Sequence, residues 1–212
     1  CRAAVARQIE YGNQHGVPWG ISESAFSALD SHQTYQYRAF GVPGLGLKHE
    51  IEDDVVVAPY ATLLALPVAP KEVVRNLRRL ERYGMRGNKG FYEAIDYARQ
   101  RSPSERGVIV YAYMAHHQGM SLMAATRSLC RCVHELSAQG WCQGTGGNFS
   151  VTLQMQPIRL LITQSGRDKR RLDVGDFVVV GPGGRPVEGE TGKPSAETLL
   201  HYAIVRLTNA GS

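Results

Sequence analysis

Two glutamates stand out among the residues able to do chemistry. Glu23 lies in VPWGISESAF and Glu93 in GFYEAIDY, each bordered by glycine and aromatic residues that could raise a carboxyl pKa or stack on a sugar ring. Around them the chain is rich in amphipathic side chains: Trp19 and Ser22 beside Glu23, His32, Gln33, Tyr35 and Tyr37 in LDSHQTYQYRAF, Tyr92 before Glu93, and His116, His117 and Gln118 in MAHHQGM. Carbohydrate sites set aromatic faces against sugar rings and carboxylates against hydroxyls. Of the 17 Phe, Trp and Tyr residues, 13 fall in residues 1–127, so the sugar-like character belongs to that part. His116 and His117 cannot both face one metal from a helix, because neighbours there point about 100° apart. They read as sugar contacts or as satisfied core histidines.

A second set follows Leu129. Glycines 144, 146 and 147 in GTGGNFS expose backbone N–H groups, which can cradle anionic oxygens or simply form a turn. It is not a P-loop, since no Gly-Lys-Ser/Thr follows. Lys193, Ser195 and Glu197 gather where a helix N-terminus favours an anion, and an ordinary capped helix start reads equally well.

The elements that must position these groups change character along the chain. In residues 1–127, CRAAVARQIEYG reads as a helix ending near Tyr11, and LDSHQTYQYRAFGVPGLGLK, with no clean period, reads as an irregular loop system. DDVVVAPYATLLALPVAP reads as a buried helix interrupted by prolines. KEVVRNLRRLERYG is the clearest helix, with Val73, Val74, Leu77 and Leu80 on one face and Arg75, Arg78, Arg79 and Arg82 on a solvated one, closed by Gly84. VIVYAYMAHHQGMSLMAA reads as a further helix. In residues 128–212, Leu129, Cys132, Val133 and Leu136 repeat at helical spacing up to Gly140. FSVTL, RLLITQSG and DFVVV read as strands, and KPSAETLLHYAIVRLTNAG as a helix with Leu199, Leu200, Ala203, Ile204 and Leu207 lining its inner face. The predicted class is mixed, mainly α in the first part and α/β in the second, divided into domains 1–127 and 128–212.

Charge adds little. The net +5 divides as +3 and +2 between the two parts with no basic block, which speaks against nucleic acid. Four cysteines in 212 residues form no disulfide framework and miss zinc-finger spacing, so they read as reduced thiols in a cytoplasmic protein. No run of eighteen apolar residues would span a membrane. Opening on Cys1 inside a helical pattern, and passing from one part to the other without a polar linker, the chain reads as two incomplete domains joined together.

VPWGISESAF, LDSHQTYQYRAFGVPGLGLK, DDVVVAPYATLLAL, GFYEAIDY and YMAHHQGMSL resemble successive motifs of the glycoamylase-like domain of cyclic β-1,2-glucan synthases. The resemblance implies part of an α/α toroid, and a domain that cleaves and re-forms β-1,2-glucosidic bonds, with a β-1,2-glucan or related oligosaccharide as partner. It also implies derivation from a larger membrane-associated synthase. Such chemistry needs two carboxylates flanking the scissile bond. Glu23 and Glu93 fill that part, with Asp30, Asp53 and Asp54 as competitors, and which glutamate is the acid stays open. ELSAQGWCQGTGGNFSV, ITQSGRDKRRL, DFVVV and KPSAETLLH resemble the class II aldolase superfamily, nearest methylthioribulose-1-phosphate dehydratases. That resemblance implies a lyase fold acting on a ketose phosphate, with Gly146, Asn148, Thr163, Ser165, Gly166 and Ser195 around the phosphate and Glu197 at the family's acidic position. It further implies zinc held by an HxH pair and a later histidine. Such ligands are not expected before Ser212, and His201 alone cannot replace them. No cofactor is therefore expected in this chain, zinc belonging only to a complete dehydratase domain. A third reading is a non-catalytic remnant that binds sugar or sugar phosphate.

Overall fold

The computed structural model describes residues 1–45, 54–99 and 106–208. It is a mixture of helix and sheet in two compact units, Cys1–Ala124 and Ala125–Ser212.

In the first unit, α1 (Arg2–Gln14) runs three residues beyond the expected stop at Tyr11. Gly12 does not break it because a Cβ there would meet Trp19 Cβ at 3.1 Å, so its missing side chain admits Trp19. The turn comes at Gly16, whose φ is +68°. The stretch expected to be irregular is instead a hairpin, β1 (Ser24–Leu29) paired antiparallel with β2 (Tyr35–Arg38). Asp30 Oδ1 accepts from the amides of His32 (2.8 Å) and Thr34 (2.9 Å), closing the turn through a side chain. A register shift between Ala25 and Leu29 removes the alternation that would have betrayed the strands.

The proline-rich stretch is also not one interrupted helix. It forms β3 (Val56–Val57), then α2 (Pro59–Leu64) and α3 (Pro70–Arg82), each begun by a proline in its first turn. At that position the missing N–H costs nothing and the fixed φ suits the helix. In α3, Val73 and Leu80 are buried, Leu77 is half-buried, and Val74 is exposed. Arg79 leaves the solvated set and donates to the carbonyls of Val17 (2.9 Å) and Gly16 (2.6 Å). A small ribbon of β4 (Arg86–Gly87) and β5 (Gly90–Phe91) leads into β6 (Ala94–Asp96), the middle strand of a sheet ordered β3-β6-β7. VIVYAYMAHHQ is therefore not helical throughout: β7 (Val108–Val110) precedes α4 (Ala115–Ala138). The core of this unit joins Val56, Val57, Ala94, Ile95 and Val110 of the sheet to Phe26, Phe40, Leu80 and Met85.

In the second unit Cys130 and Val133 of α4 are buried, whereas Cys132, expected inside, is exposed. β8 (Ser150–Met155), β9 (Ile158–Thr163) and β10 (Phe177–Val180), all expected as strands, form an antiparallel sheet ordered β10-β9-β8. α5 (Thr198–Thr208) packs Val205 and Tyr202 onto Ile158, Leu160, Ile162, Val178 and Val180. The face expected to be buried is the exposed one: Leu199, Leu200, Ile204 and Leu207 lie 47–84% open. Hydrogen bonds that anchor Ser195 to Thr163 and Asn148 fix the approach to the helix, and His201 bonds Ser150 (2.8 Å) from within it, so Thr198, His201, Tyr202 and Val205 turn inward.

Candidate functional site

The hairpin, α2, β6 and α4 bring distant residues of the first unit together. Gln8 of α1 accepts from the amides of Gly20 (3.3 Å) and Ile21 (3.0 Å) and donates to Ile21 O (2.8 Å), fixing the strand that leads to Glu23. Glu23 is exposed at the foot of β1. Tyr60, in the first turn of α2, holds this foot with its hydroxyl 2.9 Å from both Ser22 Oγ and the Glu23 carbonyl. Its ring lies flat on His117, centroids 3.7 Å apart at 10°. The His117 Nδ1 is 2.8 Å from Glu93 Oε1, both groups buried, and its Nε2 is 3.3 Å from the Tyr37 hydroxyl. That hydroxyl also lies 3.5 Å from His116 Nε2, with the Glu23 carboxylate near enough for its charge to act on the phenol. A phenol, an imidazole and a buried carboxylate thus form one series, Tyr37, His117 and Glu93, with the exposed Glu23 carboxylate beside its outer end.

Burial of its inner edge, then the charge of Glu23 and the neighbouring Tyr60 and Glu93, push the Tyr37 phenol up to about 12. Burial raises Tyr60 as well, against the opposing bond to Ser22. The folded state keeps the Tyr37 proton after the unfolded chain has lost it. This phenol's contribution to stability is therefore full below its ordinary value of 10.0 and is lost as pH rises towards about 12. Ultraviolet titration near 295 nm should show late-ionising tyrosines, one fewer of them in Tyr37→Phe; a Tyr37 ionising near pH 10 would contradict this geometry.

Other expected sugar contacts lie elsewhere. Trp19 is buried against Ala65 and Val73, and its backbone N–H and carbonyl are both bonded to Asn76 (3.2 and 2.7 Å). His32 and Gln33 sit at the hairpin tip and Tyr35 packs on the core. Gln118 donates to Phe91 O (3.1 Å). Tyr92 stands with Tyr111 and Tyr113, at 5.0 and 5.2 Å between ring centroids. Tyr111 and Tyr113 were missed, though their alternation after VIV was a usable signal; Tyr60 carried none. Of the competing carboxylates, Asp30 makes the hairpin turn, Asp54 pairs with Arg99, and Asp53 lies outside the described residues.

In the second unit, Ser195 Oγ donates to Asn148 Oδ1 (2.6 Å), and Ser195 N donates to Thr163 O (3.1 Å). Thr163 Oγ1 accepts from Phe149 N (3.2 Å). Gly146, Ser165, Gly166 and Glu197 are exposed, and the Glu197 amide donates to Ser195 Oγ (3.1 Å). Lys169, hidden in a run that reads as solvated charge, is buried; its Nζ donates to Thr145 O (3.1 Å) and Arg167 O (2.9 Å), tying together the two glycine-bearing loops. Burial pushes its pKa down. Among the described residues no three His, Cys, Asp or Glu side chains are grouped to hold a metal ion. His134 is spent on Leu172 O and His201 on Ser150, so the described donors do not fit a zinc site.

The first unit thus presents carboxylates, phenols and an imidazole together on a helix-and-sheet framework. The chain matches the family model described as Putative glucoamylase over residues 2–134, well over half its length, and belongs to that family. A second model, the Class II Aldolase and Adducin N-terminal domain, matches residues 127–212. Cyclic beta-(1,2)-glucan synthase NdvB of Rhizobium meliloti (strain 1021) is 35% identical over 215 residues, covering 98% of this chain and 7% of the synthase. Methylthioribulose-1-phosphate dehydratase of Geobacillus sp. (strain WCH70) is 44% identical over 93 residues, 43% of this chain and 44% of the dehydratase. That of Bacillus subtilis (strain 168) is 44% identical over 86 residues, 40% and 41% respectively. The chain thus spans a small part of the synthase and less than half of either dehydratase. The first resemblance, read as far as residue 127, extends to 134 in the family match and along nearly the whole chain in the synthase. Among the described residues no helix is long and apolar enough to cross a membrane.

Proposed function

We propose that the first part, residues 1–127, is a portion of an α/α-toroid domain. It binds a β-1,2-glucan or related oligosaccharide and serves cleavage and re-formation of its glycosidic bonds. The observation that carries this reading is the series Tyr37, His117 and Glu93 with Glu23 beside it, in which one carboxylate meets solvent and the other is buried behind an imidazole. Glycosidic chemistry asks for a carboxyl group at the scissile bond; Glu23 is the exposed one here, and the buried Glu93 supports the set from behind His117. Glu23 is the group that reaches the sugar, with Tyr37 and His116 offering hydrogen bonds beside it. Family membership and the synthase relative support the substrate class. Titrating the 212-residue chain with β-1,2-glucan by calorimetry should give binding that Glu23→Gln weakens at least about tenfold, with the far-ultraviolet circular dichroism unchanged. Equal binding by the variant, or no binding by either protein, overturns the reading.

The hydrogen-bonded set of Asn148, Thr163 and Ser195 favours a second reading for residues 128–212. Derived from a dehydratase-like lyase, this part takes the phosphate of a ketose phosphate near those side chains. A ketose phosphate that raises the melting temperature of the wild type and not of Ser195→Ala supports it. Binding of either ligand without turnover would mark the chain as a binding remnant. The four free cysteines agree with a cytoplasmic setting.

A further inference from the structure

We propose that Glu93 acts in this site through His117, as a positioning residue; the inference rests on the carbohydrate reading above. Glu93 is only 2% exposed, and its Oε1 is committed twice. It meets His117 Nδ1 at 2.8 Å and accepts from the amide of Ala25 at 3.3 Å. Ala25 lies two residues beyond Glu23 on β1, so one oxygen sets both the imidazole and the strand that presents the exposed carboxylate. An ionised carboxylate can only accept hydrogen bonds, so Nδ1 must carry a proton. The other nitrogen, Nε2, is then the one free to take or give a proton, and it faces the Tyr37 hydroxyl.

The ring has little freedom to choose otherwise. Tyr60 lies against it at 3.7 Å and Tyr37 stacks at 6.1 Å and 29°, which holds its plane. A half-turn within that plane would take Nδ1 away from Glu93 and leave a buried carboxylate facing carbon, a costly loss. The titratable groups around the ring are Glu23 from the foot of β1, Tyr37 from β2, Tyr60 from α2, Glu93 before β6, and His116 from α4. An acid-imidazole-hydroxyl series in which the buried acid fixes the tautomer is a recurrent device for presenting one ring nitrogen to a substrate. Here a sugar hydroxyl that displaced the Tyr37 phenol would meet Nε2 as a hydrogen-bond acceptor.

The test is long-range proton–nitrogen correlation spectroscopy on the full chain carrying nitrogen-15 histidine. His117 is assigned by its loss in His117→Gln. In the neutral ring the expected signature is the Nδ1–H tautomer with Nε2 bare, and Glu93→Leu should admit the Nε2–H form and weaken β-1,2-glucan binding about tenfold. A wild-type ring carrying its proton on Nε2 overturns the proposal whether or not the leucine variant folds. So does a leucine variant that keeps a pure Nδ1–H ring. The nitrogen shifts are read without sugar, so a chain that bound no glucan would defeat the carbohydrate reading and leave the tautomer result standing.

Discussion

Asp96→Ala is expected to lower the unfolding free energy of the chain by roughly 3–5 kcal/mol. Asp96 is fully buried at the end of β6. Its carboxylate accepts from Ser27 N (3.0 Å), Ser27 Oγ (2.7 Å), Ala98 N (3.0 Å) and Arg99 N (3.2 Å), and pairs with the Arg99 guanidinium (3.3 Å). The Arg99 side chain is about a third exposed, so water screens its share of the attraction. The larger loss is of backbone donors left buried without an acceptor, at about 1–3 kcal/mol each when no water reaches them. Arg99 also bonds Asp54 and lies 4.5 Å from the centroid of the Phe26 ring, so its displacement would loosen the hairpin against the sheet. In urea, with a slope of about 2 kcal/mol per molar, the midpoint should fall by about 2 M. A shift below about 0.5 M would show that solvent already reaches these amides.

Gly20→Ala should cost roughly 3 kcal/mol. At φ +117° Gly20 occupies backbone space that side chains rarely enter, and an added Cβ would lie 2.6 Å from Thr62 Oγ1 and 3.1 Å from Ala58 O. Thr62 cannot retreat, because its hydroxyl donates to Trp19 O (3.0 Å) and accepts from Asn76 Nδ2 (2.9 Å). Differential scanning calorimetry should therefore record a fall in melting temperature of several degrees. A neutral substitution would mean that the Trp19–Thr62–Asn76 network is looser than its distances imply.

How far these features were readable depended on whether the determinant was local. α3 shows its apolar spacing and its Gly84 stop within fourteen residues, and β10 shows a β-branched run, so both were visible. The hairpin was not, because its strand alternation is broken by a register shift and its turn is closed partly through a side chain, Asp30. The prolines at 59 and 70 look like breaks until the neighbouring strand and helix show that they begin elements. In α5 two faces compete on paper, and contacts of Ser150 and Asn148, about fifty residues earlier, decide between them. The same division holds at the site. Glu23, Tyr37, His117 and Glu93 were marked by residue type and setting, whereas Tyr60 matters only because it stacks on a ring 57 positions later, and nothing near it in the chain shows that.

β6 has three residues, all buried, and both neighbours in its sheet hydrogen-bond to it. Glu93 precedes this strand and Asp96 ends it, so the site's buried acid and a buried, multiply bonded aspartate ride on one short rod. In deuterated solvent the amide protons of Ala94 to Asp96 should be among the last in this unit to exchange, because freeing them requires opening the sheet on both sides. Any ligand that dampened such openings would report itself there first, long before a change of shape.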